Sequence, residues 1–286
     1  MKRLISKKII LIFSLLLAFV SVAGVLSGCG KSSNAAATKT VKVGVVGTTD
    51  NSIWAQVNKN LKSELIHVKL VPFTDGILAN QAMNNKELDM VAFQNRAFLE
   101  NEEKTKHYKF SVIAQTYLTP MNIFSDKIKS IKDLKQGDKI SIPNNVTNAG
   151  RALKVLEQAG LIKLDPKAGD TPSTSDITEN KLKLKIVQQD PAKIMNLLPD
   201  VAAGITNSNF VKVAKKDPIN DAIYKESFSY SNPANKPWIN VIAVRSSDKN
   251  NATYKKIVKA YQTKSVTQIY KAKFNHMYTP AFKTNN

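Results

Sequence analysis

Cysteine is almost missing from this chain: Cys29 is the only one in 286 residues, so no disulfide can form within it. A body of this size can bury enough core to fold without one. Histidine is nearly as scarce, and His67, His107 and His276 lie too far apart to form a ligand-spaced pair, so no metal site is expected. The chain has no Gly-x-Ser-x-Gly elbow, phosphate-binding loop or dinucleotide fingerprint. Glu87 and Asp89 precede a predicted strand and read as solvated end residues. Neither an enzyme nor a bound cofactor is expected. Beyond the N-terminal region no apolar stretch reaches the roughly 20 residues that cross a bilayer, which predicts a soluble body. The formal charge is +20, but the lysines are scattered rather than grouped into an aromatic-interleaved patch, so nucleic acid is not the expected partner.

What the chain does have begins at its N-terminus. Lys2, Arg3, Lys7 and Lys8 precede Ile9 to Val20, which is apolar except for Ser14, and Ser21 to Gly28 is mostly small. That is the layout of an export signal. Leu26-Ser27-Gly28-Cys29 resembles the bacterial lipobox, in which small residues precede a cysteine that is acylated. The expected products are a signal at residues 1–28 and a lipidated Cys29. Small polar residues through 40 then form a flexible tether. The protein is therefore expected at the extracytoplasmic face of the cell membrane, held by lipid. Four of the 42 basic residues fall in the signal, leaving 38 against 22 acids, about +16. For an exported lipoprotein that excess fits proximity to anionic lipid and wall polymer.

About 245 residues remain for folding. Val41 to Gly47, Val68 to Phe73 and Met90 to Phe93 read as strands, separated by helical spacing over Ile53 to Leu65 and Ile77 to Leu88. This alternation predicts a parallel sheet covered by helices. A second run follows, with strands at Lys139 to Pro143, Leu182 to Val187 and Val201 to Ile205. Its helix spans Asn148 to Gln158 and stops at Gly160. Tyr117 to Phe124 and Trp238 to Val244 are extended and apolar, suited to cross between two lobes, and Lys255 to Tyr270 closes the chain as a helix. The expected fold is a two-lobed α/β body of the periplasmic-binding-protein type (type II), with two interlobe crossings and a ligand cleft. Lobe 1 is expected over 41–118 plus 241–286 and lobe 2 over 119–240.

The segments Phe73-Thr74-Asp75-Gly76-Ile77-Leu78-Ala79-Asn80-Gln81-Ala82, Leu88-Asp89-Met90-Val91-Ala92-Phe93-Gln94 and Pro143-Asn144-Asn145-Val146-Thr147-Asn148-Ala149-Gly150-Arg151, with others in one order from about residue 41 to 270, resemble the methionine-binding lipoproteins of the MetQ/NlpA family. Ala159 to Leu164, Asn207-Ser208-Asn209-Phe210 and Pro237-Trp238-Ile239-Asn240-Val241-Ile242 continue the likeness. The resemblance implies the solute-binding component of an ABC importer. Its partners would be a permease with its ATPase and a small amino-acid or dipeptide ligand.

The resemblance also assigns Arg151 to the ligand carboxylate. By the Leu153/Leu156 face, Arg151 points away from the lobe core, in the first turn of its helix, where the macrodipole disfavours a cation by about 0.3–1 kcal/mol. A carboxylate would reverse that and pair bidentately. Asn207 and Asn240 match the asparagines that accept from the ammonium. Asn148 either holds the loop or reaches the ligand, and Thr147 suits a helix cap. Phe93 matches the family's aromatic. Gly76, Asn95 and Phe98 depart from the tyrosine, histidine and tyrosine usual there, and the glycine is expected to open space. The implied ligand is therefore L-methionine, a related amino acid or a methionine-containing dipeptide. Each residue has a plainer alternative as a surface arginine, a turn amide or a core phenylalanine. A second reading of the whole is a surface adhesin whose basic face binds anionic wall or host polymers.

Overall fold

The computed structural model describes residues 37–229, 231–275 and 277–285; the signal, Cys29 and most of the tether lie outside them. The first sheet is built from β1 (Lys39–Val46), β2 (Ile66–Phe73), β3 (Met90–Val91) and β4 (Phe110–Gln115), together with a late strand, Val241–Arg245. Its order is β2-β1-β3, then the late strand, then β4. The first three run parallel and the late strand lies antiparallel between β3 and β4. Val41, Val43 and Val45 of β1 alternate into a core with Ile53, Trp54 and Val57 of helix α1 (Asn51–Asn60). Helices α2 (Gly76–Asn84) and α3 (Arg96–Lys106) supply Ala79, Ala82, Met83 and Leu99 to a second apolar cluster.

The chain crosses through Tyr117 and Leu118 into the second sheet. This contains Ile123–Phe124, Lys139–Pro143, Lys185–Gln189, Ala203–Ile205 and Ala222–Tyr224, numbered β6, β7, β10, β11 and β12. β5 is the crossing pair Tyr117–Leu118, and β8 (Lys163–Leu164) and β9 (Ile177–Glu179) form a side ribbon. The order is β10-β7-β11-β6-β12, parallel at its centre. Helix α4 (Val146–Gln158) covers this sheet through Ala149, Ala152, Leu153 and Leu156. The return crossing passes a short 3-10 turn, Pro233–Trp238, and ends at Asn240.

Trp238 to Val244 is therefore not a crossing throughout: from Val241 onward it is an interior strand of the first sheet, here β13, with Val241 to Val244 fully buried. The helix expected over Ile53 to Leu65 stops at Asn60 and passes through a 3-10 turn to Leu65, which takes φ 51° and is 43% exposed. The helix expected over Ile77 to Leu88 stops at Asn84, and Lys86 turns left-handed at φ 65°. Lys255 to Tyr270 is two helices, Ala252–Tyr261 and Lys264–Phe274. Thr263 breaks them because its hydroxyl accepts from the Val266 amide at 3.3 Å, starting a new helix instead of continuing the old one. Helix α3 has no counterpart in the sequence reading.

Leu153 is fully buried two residues beyond Arg151 and anchors α4 to its sheet. Leu153→Ala is expected to cost about 2–5 kcal/mol, seen as a lower urea midpoint with an unchanged slope.

Candidate functional site

The carboxyl ends of six parallel strands open on one cavity of about 320 Å³ between the two sheets. Gly47, at φ 71°, turns the chain after β1 toward Thr49 and Asp50. Asp75, Gly76 and Ile77 follow β2, and Phe93, Asn95 and Phe98 follow β3. From the second sheet come Asn148 and Arg151 after β7, Asp190 after β10, and Asn207 and Phe210 after β11. Tyr117, Thr119 and Asn240 arrive from the crossings, and Tyr278 from the end of the chain. This is where parallel α/β sheets present ligand sites. All eight residues singled out in the sequence line this one cavity: Gly76, Phe93, Asn95, Phe98, Asn148, Arg151, Asn207 and Asn240.

The strand ends are also helix starts, and their polar residues fix the loops. Asp75 accepts from the Leu78 amide at 3.0 Å, Asn95 from Phe98 at 2.8 Å and Asn145 from Asn148 at 3.1 Å. Asn145, not Thr147, is thus the cap of α4, and the helix begins early enough to place Arg151 in its second turn. The dipole argument made for a first-turn position weakens accordingly.

Arg151 is not a surface residue; it is 2% exposed. Its Nε and Nη2 donate to the Glu226 carboxylate at 3.2 and 2.7 Å, and Nη2 also donates to the Thr119 carbonyl at 2.9 Å. The guanidinium lies 5.3 Å from the centroid of the Trp238 ring. Glu226 accepts further from the Met121 amide at 2.7 Å, and its own amide donates to Asn122 at 2.8 Å. The two-point edge expected to meet a ligand is therefore taken by Glu226. Nη1 makes no hydrogen bond among the described residues.

Asn207 donates through Nδ2 to Asn148 Oδ1 at 3.3 Å, while its Oδ1 is buried without a partner among the described residues. The Thr119 hydroxyl is in the same position. Unpaired buried polar atoms cost free energy unless a ligand or water completes them. Gln94 is held from behind by a reciprocal amide pair with Asn80, both bonds at 2.8 Å.

The apolar part of the cavity includes Phe93 and Phe98, half-buried and edge-to-face with centroids 6.2 Å apart. Gly76 does not open space here. A Cβ at that position would collide with the Phe93 ring, so the ring already fills the room the small residue leaves. The sequence reading missed Asp50, whose carboxylate accepts from Tyr117 and Tyr278, and Glu226. Asp50 sits at a strand end and was findable on that ground, whereas Glu226 has no local signal in its segment. Among the described residues no group of three or more His, Cys, Asp or Glu is placed to hold a metal ion.

Two α/β lobes joined by crossings, with amides, one cation and aromatic rings converging on a small cavity, define a solute-binding protein. The chain belongs to the NlpA lipoprotein family, whose model matches residues 41–282. It is 32% identical over 253 residues to the D-methionine-binding lipoprotein MetQ of Salmonella typhimurium, covering 87% of this chain and 90% of that one. A nutrient-binding protein from Burkholderia cenocepacia bound to methionine superposes with a TM-score of 0.80 at 37% identity, over 85% of this chain and all of that one. The substrate-binding protein of a methionine transporter from Streptococcus pneumoniae gives 0.79 at 29% identity, over 85% and 96%.

Glu226→Ala leaves the Arg151 charge buried and uncompensated, and is expected to lower stability by about 3–5 kcal/mol in urea unfolding. Gly76→Ala forces the Phe93 ring aside and is expected to cost about 1–3 kcal/mol by the same measurement.

Proposed function

We propose that this protein is the lipid-anchored solute-binding component of an ABC importer. Its ligand is L-methionine, a related amino acid or a methionine-containing dipeptide. The observation that carries this reading is an Asn207 Oδ1 without a partner among the described residues, sharing one cavity with an incompletely used guanidinium. Asn148 and Arg151 are three residues apart on α4 and so share a helix face, and Asn148 holds Asn207. A ligand carboxylate meets Arg151 at Nη1, held ready by Glu226, while a ligand N–H completes Asn207. Asn240 offers a second amide. Phe93 and Phe98 flank an apolar side chain, and a thioether gains from lying at a ring edge. Asn95 spends its oxygen on capping α3, which leaves its NH₂ group for the ligand.

Contacts from both lobes favour a closed state, which a permease and its ATPase then unload. Diacylation at Cys29 keeps the receptor beside that permease, since two acyl chains anchor stably where one is marginal. The role needs binding and release alone, without catalysis. The methionine binders among its relatives support uptake over adhesion.

A thermal-shift screen of free amino acids, both methionine enantiomers included, and methionine dipeptides tests the reading. A true ligand at 100-fold over its Kd is expected to raise Tm by about 5–10 °C. Binding should survive rising salt, whereas polymer binding to the basic exterior should collapse. Asn207→Ala is expected to weaken the ligand about tenfold or more with the fold intact. If no amino acid or dipeptide shifts Tm, the uptake reading fails.

A further inference from the structure

Of the three aspartates lining the cleft, Asp75 caps α2 and Asp190 accepts from the Ala192 amide. Asp50 does neither. It occupies the cap position of the ten-residue helix α1, yet its side chain makes no capping hydrogen bond. Instead Oδ1 accepts from Tyr278 at 2.6 Å and Oδ2 from Tyr117 at 2.8 Å. The two phenol rings stack at 3.9 Å and 11° and are almost fully buried. Burial, with the Asp50 charge beside them, holds both phenols well above their ordinary range, so they remain neutral donors. An ionised carboxylate accepts about four hydrogen bonds, and these two leave the rest unused.

Among the described residues no free cation in the cavity pairs with Asp50. The helix N-terminus favours a negative group, but burial raises this carboxyl above its usual value despite both tyrosine donors. Among the described residues Arg151 is the one basic residue lining the cavity, and Glu226 neutralises it. A second sign points the same way. Thr119, two residues from Tyr117 on the same crossing and 9% exposed, brings to this cavity a buried hydroxyl with no partner among the described residues. Asp50 and Thr119 thus both keep unused hydrogen-bonding capacity among the described residues of this cavity.

We propose that Asp50, oriented by Tyr117 and Tyr278, is an ammonium-binding subsite of the cleft, distinct from the Arg151 end, and that it takes a primary amine of the ligand. This rests on the amino-acid or dipeptide reading above. The amine is either the α-amino group of a free amino acid or the N-terminus of a dipeptide. In the second case Asn207 Oδ1 receives the peptide N–H. An ammonium has three donors, so Asp50 and a cleft amide can share it.

The test is calorimetric titration of wild type and Asp50→Asn with two matched pairs. One is L-methionine and its desamino analogue 4-(methylthio)butanoate; the other is alanyl-methionine and N-propanoyl-methionine. Asp50→Asn is expected to weaken the amine-bearing member about tenfold or more, as a lost charged hydrogen bond does, and its desamino partner less than about threefold. The pair that shows the effect identifies the source of the amine. Tyr278→Phe, which frees the carboxylate without removing it, should give the same pattern at about threefold or more. Equal weakening of both members of a pair, or no weakening by either variant, overturns the subsite and leaves the uptake reading standing. If neither pair binds wild type, the uptake reading itself fails and the subsite with it.

Discussion

The cleft depends on one buried ion pair. Arg151 and Glu226 have side chains 2% and 8% exposed, and two such charges are tolerable only if every remaining donor and acceptor nearby is engaged. Here nearly all are, and the partners come from both crossings. Thr119 and Met121 lie on the first, Glu226 and Trp238 on the second. The guanidinium on α4 is therefore bolted to the two segments that join the lobes.

Around that fixed point the rest of the site is assembled from chain reversals. Each parallel strand ends at the cleft and each following helix begins there, so the residues between must satisfy free helix amides as well as meet a ligand. Asp75, Asn95 and Asn145 do the first task, and Asn207 is held by Asn148 instead of capping its own short helix, Ser208–Val213. Caps make the loops rigid, and a rigid loop presents its remaining polar atoms at low entropic cost. The Gly76 and Phe93 exchange follows the same logic, with one ring occupying the volume that a side chain on the neighbouring loop would need.

Much of this was legible in the sequence. The periodicities placed β1, β2, β7 and α4 within a few residues, and the family likeness gathered eight residues that share one cavity. Element ends were less legible, because Thr263, Leu65 and Lys86 act through side-chain caps and left-handed turns that apolar spacing does not report. Helix α3 was hidden by its polarity, with Ala97 and Leu99 as its buried apolar contacts. Long-range partners were hidden altogether. Glu226 lies 75 residues from Arg151, and nothing in its own segment marks it as the arginine's counter-ion. The inference that Gly76 enlarges the pocket failed because volume at one position is shared with positions distant in sequence.

Charge shows why composition and site must be argued separately. Residues 29–286 are basic, 38 against 22, yet Asp50, Asp75 and Asp190 line the cavity, and the one arginine lining it among the described residues is already neutralised. Exterior lysines are screened over about 8 Å at physiological salt, so they bear on the surfaces the protein approaches and little on what enters the cleft. The half-buried carboxylates of Asp50 and Asp75 are screened less and would act on a molecule bound there. An anionic polymer drawn to the outside is thus disfavoured inside, and a ligand with a single carboxylate must bring a positive group to offset the acids it meets. A zwitterion would do so, and the cleft's local charge, opposite in sign to that of the whole protein, would favour one over a simple anion.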